Sequence, residues 1–214
     1  AKARGLLGTR KVGHSGTLDP DVTGVLLLGV GRATRLLRYL TALGKRYEGT
    51  FVLGVETSTL DASGAVVATH DMAGVSLAEV QRVAADGFVG AIHQVPPMVS
   101  AVKVDGRRLH ELAREGIEVA RPARPVTIHE LAIHAVPGRD DTFGITVHCS
   151  SGTYVRSLVA DIGTALGGGA HLASLRRVAV GSFTLDEAVP LASLTPEVLL
   201  SPAAALRDLD QVAV

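Results

Sequence analysis

Phe143-Gly-Ile-Thr-Val-His-Cys-Ser-Ser-Gly-Thr-Tyr-Val-Arg-Ser-Leu-Val-Ala-Asp-Ile-Gly-Thr-Ala-Leu166 changes its apolar period partway along. Phe143, Ile145, Val147 and Cys149 alternate, which puts them on one side of a strand. Beyond Gly152-Thr153 the apolar residues Val155, Leu158, Val159, Ile162 and Leu166 recur at helical spacing. Gly167-Gly168-Gly169 ends that helix, and a further strand is predicted over about 173–180. Upstream, a strand is predicted at about 126–136 and a helix over Leu77–Phe88. Tyr47, Gly49, Phe51, Leu53 and Val55 share one face of an earlier strand. Asp61-Ala-Ser-Gly64 is turn chemistry leading into a strand at Ala65–Ala68. The apolar run Val25–Val30 reads as a strand buried on both faces. A helix is expected at about 32–43, with Ala33, Leu36, Leu37 and Leu40 inward and Arg32, Arg35 and Arg38 together on another face. Hairpin strands with helices inserted between them imply an α+β fold around a mixed or antiparallel central sheet with flanking helices.

Residues 92–125 are less regular. They hold Pro96-Pro97, a basic run at Lys103–Arg108 and a short helix around Leu109–Glu115, and read as an insertion or long functional loop. One domain is expected over 1–190, with 191–214 a tail or the start of a truncated C-terminal domain. Basic, helix-like sequence appears at once and no initiator Met precedes it, so residues are expected to be missing upstream.

About half of the 214 residues are apolar, enough for a sizeable core built on Leu, Val, Ile and Ala, because aromatics are scarce. No apolar run approaches the roughly 20 residues that cross a bilayer. The first residues lack a signal peptide's hydrophobic stretch. The single Cys149 excludes an internal disulfide framework and fits a reducing cytosol. Net charge is zero but unevenly spread. Residues 1–46 carry nine Lys/Arg and two acids, a net of +7, so the remainder is −7. Such a split suits one phosphate-attracting face, or is a chance cluster of solvated cations. His93, His110, His129, His134, His148 and His171 do not repeat at i, i+4 on a helix and no second Cys exists, so no metal site is expected.

Three stretches carry candidate chemistry. Gly13-His14-Ser15-Gly16-Thr17-Leu18-Asp19-Pro20 surrounds one acid with two glycines and a proline, which can fix a carboxylate in one pose, although spacing alone favours a turn-forming Asp. Tyr154 and Arg156 sit two apart where strand gives way to helix. Arg156 suits a bidentate grip on a carboxylate, or is a surface Arg beside a packed Tyr. Lys45-Arg46-Tyr47 flanks an aromatic with cations, as base stacking beside phosphate contacts requires, though a strand Tyr is also ordinary packing.

Together these stretches resemble the TruB family of tRNA pseudouridine synthases over about residues 10–190. The resemblance adds Thr-Ser-Thr-Leu-Asp-Ala-Ser-Gly at 57–64, Pro-Pro-Met-Val-Ser-Ala-Val-Lys at 96–103 and Gly-Arg-Arg-Leu-His-Glu-Leu-Ala-Arg-Glu-Gly-Ile at 106–117. It continues with His-Cys-Ser-Ser-Gly-Thr-Tyr-Val-Arg at 148–156 and Gly-Ala-His-Leu-Ala-Ser-Leu-Arg-Arg at 169–177. The matches at 106–117 and 169–177 point to the stand-alone bacterial type rather than its guide-RNA-dependent relatives. The implied fold is the pseudouridine synthase fold, with an RNA-binding insertion. The implied activity turns uridine into pseudouridine in the T arm of tRNA, with no cofactor, no metal and no protein partner, by a cytoplasmic monomer.

The resemblance makes Asp19 the catalytic acid and Arg156 its guanidinium partner, which would favour the ionised carboxylate. Whether the aspartate attacks covalently or takes a proton from the sugar stays open. Tyr47 matches the tyrosine that stacks on the flipped base, and the resemblance also gives it a catalytic part in helping a proton leave C5. Tyr154 and Leu175 match pocket-lining residues, and His14 a histidine that positions RNA near that base. Arg35 matches a cation that contacts the RNA backbone or the aspartate loop. Lys103 lies in the RNA-clasping insertion. The family's upstream Lys-Pro-x-Gly-x-Thr-Ser segment is absent, the tail after about 190 shows no PUA-type domain, and Val99 stands where some relatives have an aromatic.

Overall fold

A computed structural model describes residues 2–104 and 106–209. The chain divides into two compact units, Ala1–Arg46 with Arg177–Val214, and Tyr47–Arg176.

The first unit opens with helix α1 (Lys2–Leu6), then strands β1 (Val12–His14), β2 (Thr23–Gly24) and β3 (Leu28–Val30). A 3-10 turn (Gly31–Arg35), the short helix α2 (Leu37–Leu40) and the start of β4 (Lys45–Leu53) follow. β1 and β3 pair antiparallel, with Gly13 opposite Gly29. A Cβ on either glycine would lie about 3 Å from Leu37, and at Gly29 it would also press on Ala33 O at 3.1 Å, so the bare backbone lets α2 seat closely. This region departs from two expectations. The run at 25–30 is not a strand buried on both faces: only Leu28–Val30 is strand, and Leu26 is 38% exposed. The helix expected at 32–43 is a 3-10 turn followed by one α-turn. Of its inward stripe only Leu40 is buried, while Arg32, Arg35 and Arg38 are exposed as expected. With Gly31 in the left-handed region (φ 59°), the chain enters the turn too tightly to start an α-helix.

The second unit holds the main core. After β4 come β5 (Val55–Thr57), β6 (Val66–Thr69), helix α3 (Leu77–Phe88) and β7 (Gly90–Gln94). The hairpin β8 (Lys103–Val104) and β9 (Arg107–Arg108), helix α4 (Leu109–Arg114), β10 (Arg124–Val136), β11 (Arg139–Cys149) and helix α5 (Val155–Ala165) lead to β12 (Ala170–Val180). Within this unit the sheet runs β12-β4-β11-β10-β7. β11 and β7 pair antiparallel with β10. Alternation works as expected: Phe143, Ile145, Val147 and Cys149 are all buried, and Phe51 stacks on Phe143 with centroids 5.7 Å apart. α3 contributes Val80 and Ala84 to the same core, and α5 contributes Val155, Leu158, Val159 and Ile162. Each fully buried Leu, Ile or Val here contributes roughly 1.5–3 kcal/mol. α3 begins where Ser76 Oγ accepts the Glu79 N–H at 3.3 Å. The strand expected at 173–180 starts earlier, at Ala170.

Beyond β12, the first unit resumes with β13 (Phe183–Thr184), three 3-10 turns and helix α6 (Pro202–Ala205). β13 pairs antiparallel with Ala179 and Val180. No described helix is long and apolar enough to cross a membrane.

Candidate active site

In the first unit, β1 delivers His14 to an exposed position, and the loop that follows carries Asp19 half-buried. The loop is held at several points. Ser15 N–H donates to Leu27 O at 3.1 Å, and Gly16 N–H to His14 Nδ1 at 3.4 Å. Val22 N–H donates to Asp19 O at 3.0 Å, closing a turn around Pro20. Gly24 (φ 108°) passes against the backbone of Arg177, where a Cβ would come within 2.1 Å of Arg177 O. No other residue fits there. Arg35 lies exposed at the end of the 3-10 turn. Lys45, expected to meet phosphate, is 6% exposed instead, and its Nζ donates to Thr41 O at 2.6 Å and Leu43 O at 2.7 Å. The carbonyls at the C-cap of α2 and just beyond it hold it in a structural role.

In the second unit, Tyr47 and Leu175 are half-buried and pack on the main core. Gly49 makes room for the backbone beside Leu175: a Cβ there would come within 2.2 Å of Ser174 O and 3.0 Å of Leu175 Cδ1. Tyr154 occupies the N-cap position of α5 and Arg156 its first turn. The Arg156 guanidinium is 3% exposed. It donates from Nη1 to Thr59 O at 2.8 Å and from Nη2 to Val99 O at 3.0 Å. It also lies 3.4 Å from Asp61 Oδ2. Burial pushes the Asp61 carboxyl up. The Ser63 and Thr59 hydroxyls, the Ser63 N–H and the Arg156 charge outweigh that and hold it below the usual carboxylate range. Lys103 sits exposed on the β8–β9 hairpin.

Two contributors escaped the sequence reading. Asp61 was visible as turn chemistry and does make that turn, its Oδ1 accepting the Ser63 N–H at 3.0 Å. Nothing local showed that its other oxygen faces Arg156. Gln94, 2% exposed, grips both backbone groups of Tyr154: Tyr154 N–H donates to Oε1 at 2.7 Å and Nε2 donates to Tyr154 O at 3.0 Å. It replaces a strand neighbour where β11 gives way to α5, and its place at the end of β7 was the only available hint.

Comparison with known proteins bears on the whole length. Residues 4–155 match the TruB family pseudouridylate synthase (N terminal domain) and residues 156–212 the tRNA pseudouridylate synthase B C-terminal domain. The tRNA pseudouridine synthase B of Arthrobacter sp. (strain FB24) is 50% identical over 202 residues, covering 92% of this chain and 65% of the relative. That of Corynebacterium glutamicum is 47% identical over 209 residues, covering 94% and 69%. A chain from the crystal structure of a Cbf5-Nop10-Gar1 complex superposes with a TM-score of 0.63 at 32% identity, over 86% of this chain and 44% of that one. A chain of an H/ACA RNP bound to a substrate RNA containing 2'-deoxyuridine gives 0.62 at 27% identity, over 89% and 45%. The chain therefore spans about two thirds of the length of these curated relatives and under half of the solved chains. By both family matches and these identities, the chain belongs to the TruB family of pseudouridylate synthases.

Proposed function

We propose that this protein isomerises uridine to pseudouridine in the T arm of tRNA, with Asp19 as its essential carboxylate. One observation carries the reading. A chain matched to pseudouridylate synthases over residues 4–212 keeps the Leu18-Asp19-Pro20 acid, on a loop whose backbone is fixed on both sides of it. The reaction breaks the N-glycosidic bond and rejoins the sugar to C5 of the turned uracil. C5 loses a proton and N1 gains one, so the reaction balances with no redox or group-transfer partner.

The target base has to leave its stack before that chemistry begins. Tyr47 supplies the stacking surface, and Tyr154 and Leu175 line the pocket. Arg156 acts as the guanidinium partner that orients Asp19 and favours its ionised form. His14, Arg35 and Lys103 position the RNA. The catalytic domain extends over 1–190, with 92–125 as the RNA-binding insertion. The enzyme works as a cytoplasmic monomer of the stand-alone type, needing no guide RNA and no protein partner.

Incubating the purified protein with a bare T-arm stem-loop and measuring pseudouridine tests the activity. Product without accessory proteins supports the stand-alone reading. Asp19→Asn is expected to abolish turnover while RNA binding survives. Retained turnover in that variant would remove Asp19 from the mechanism.

A further inference from the structure

Arg177 is the largest fully buried side chain in the described protein, at 1% exposure. Among the described residues no carboxylate forms a salt bridge with it. Its guanidinium hydrogens go to backbone carbonyls of the Asp19 loop instead. Nε donates to Val25 O at 2.7 Å and Nη2 to Gly16 O at 3.4 Å, the second a longer and weaker bond. The residue's own backbone completes the grip, Arg177 O accepting the Val25 N–H at 2.8 Å. Gly24 lies flat on that backbone because a Cβ would strike it. Gly16 and Val25 bracket Asp19 in the chain, so one side chain ties both ends of the loop that presents the carboxylate.

A buried guanidinium without a carboxylate is an expensive way to fill space, since an apolar side chain of similar volume needs no desolvation. The loop it holds is what it offers in return. A planar fork can reach two carbonyls that face it from different directions, which an ammonium cannot do with the same fixed geometry. We infer that Arg177 is a positioning residue for the isomerisation. It sets the Asp19 loop at its working geometry without touching the nucleotide. The inference rests on the activity proposed above. Displacing a reacting group by about 1 Å lowers a rate by about 100-fold, so a loosened loop shows in the chemical step before it shows in RNA affinity.

The test measures single-turnover pseudouridine formation and RNA dissociation constants, on a T-arm stem-loop, for wild type, Arg177→Lys, Gly16→Ala and the double variant. Arg177→Lys keeps the charge and most of the volume. Gly16 sits at φ 143°, where a side chain is strained, and a Cβ there has only ordinary contact with Arg177 at 3.8 Å, so Gly16→Ala shifts the gripped carbonyl without a clash. Arg177→Lys is expected to lower the single-turnover rate about 100-fold while the dissociation constant stays within about threefold. The two substitutions are expected to be non-additive, because each disrupts the same grip. A merely structural role predicts additive effects, or a fall in melting temperature with an unchanged rate. Either result overturns the inference, as does a wild-type rate in folded Arg177→Lys. Should Arg177→Lys not fold, Gly16→Ala alone decides: a slowed rate at unchanged affinity supports the grip, and an unchanged rate refutes it. Wild type separates the two readings. If it makes no pseudouridine, the proposed activity fails and this inference with it; if wild type and Arg177→Lys are equally active, only this inference fails.

Discussion

Asp61 divides its two carboxylate oxygens between a local and a distant task. Oδ1 closes its own turn through Ser63, and Oδ2 faces Arg156 from 95 residues earlier in the chain. The first contact is legible from Asp-Ala-Ser-Gly, because an Asx turn involves only neighbours. The second depends on how β5, β6 and α5 come together, which no local pattern encodes. Asp61→Asn keeps the turn's acceptor but removes the charge beside a buried guanidinium. Losing a charge-assisted contact of this kind costs roughly 1.5–3 kcal/mol. Turnover in that variant is expected to fall about tenfold or more, with RNA affinity little changed, as single-turnover rates and binding isotherms would reveal. The pH dependence has a definite sign. The folded carboxyl titrates below its ordinary value, so its stabilising contribution is complete above the unfolded value of about 4. It is lost as pH falls through the lower folded value. Thermal melts of wild type and Asp61→Asn are therefore expected to differ at pH 6 and to converge on acidification. A gap that stays constant down to pH 3 would rule out the charge as its source.

Elements were legible in proportion to how much of their burial one face carries. β11 alternates over Ile145–Cys149 because one side faces the core, and α3 and α5 show helical stripes for the same reason. The run at 25–30 and the stretch at 32–43 misled because they pack through glycine contacts. Leu37 seats on Gly13 and Gly29, and this demands a tight 3-10 approach that no apolar period reveals. The contrast can be measured. Leu158 is fully buried on α5, whereas Leu36 is only half-buried at the join of the 3-10 turn and α2. Leu158→Ala is expected to cost about 2–5 kcal/mol by chemical denaturation, and Leu36→Ala clearly less. Equal losses would mean that 32–43 carries a true inward stripe. At the start of α3, Ser76→Ala removes the cap on Glu79 N–H and is expected to cost about 1 kcal/mol.

At the scale of the whole molecule, the charge split was the most accessible feature and also the bluntest. Counting put nine cations in residues 1–46, but a count does not separate a cation facing solvent from one already engaged by the fold. Lys45 is the instructive case, since its Nζ is taken up by the carbonyls of Thr41 and Leu43. Arg32, Arg35 and Arg38 are exposed and available to phosphate, although Arg38 also leans over Tyr39 with 4.6 Å from its guanidinium carbon to the ring centroid. Each phosphate contact releases counterions, and the logarithm of affinity then falls with the logarithm of salt by roughly 0.7–0.9 per contact. If these three arginines meet the RNA backbone, replacing all three with Gln lowers that slope by about 2–3, while the rate at saturating RNA stays near wild type. Lys45→Gln should do the reverse. It leaves the salt slope unchanged and lowers the melting temperature, because it strips a buried cap rather than a phosphate contact. Salt titrations of T-arm binding for the two variants, beside their thermal melts, decide the matter. A slope that drops for Lys45→Gln, or fails to drop for the triple variant, would put the RNA-facing surface elsewhere on the molecule.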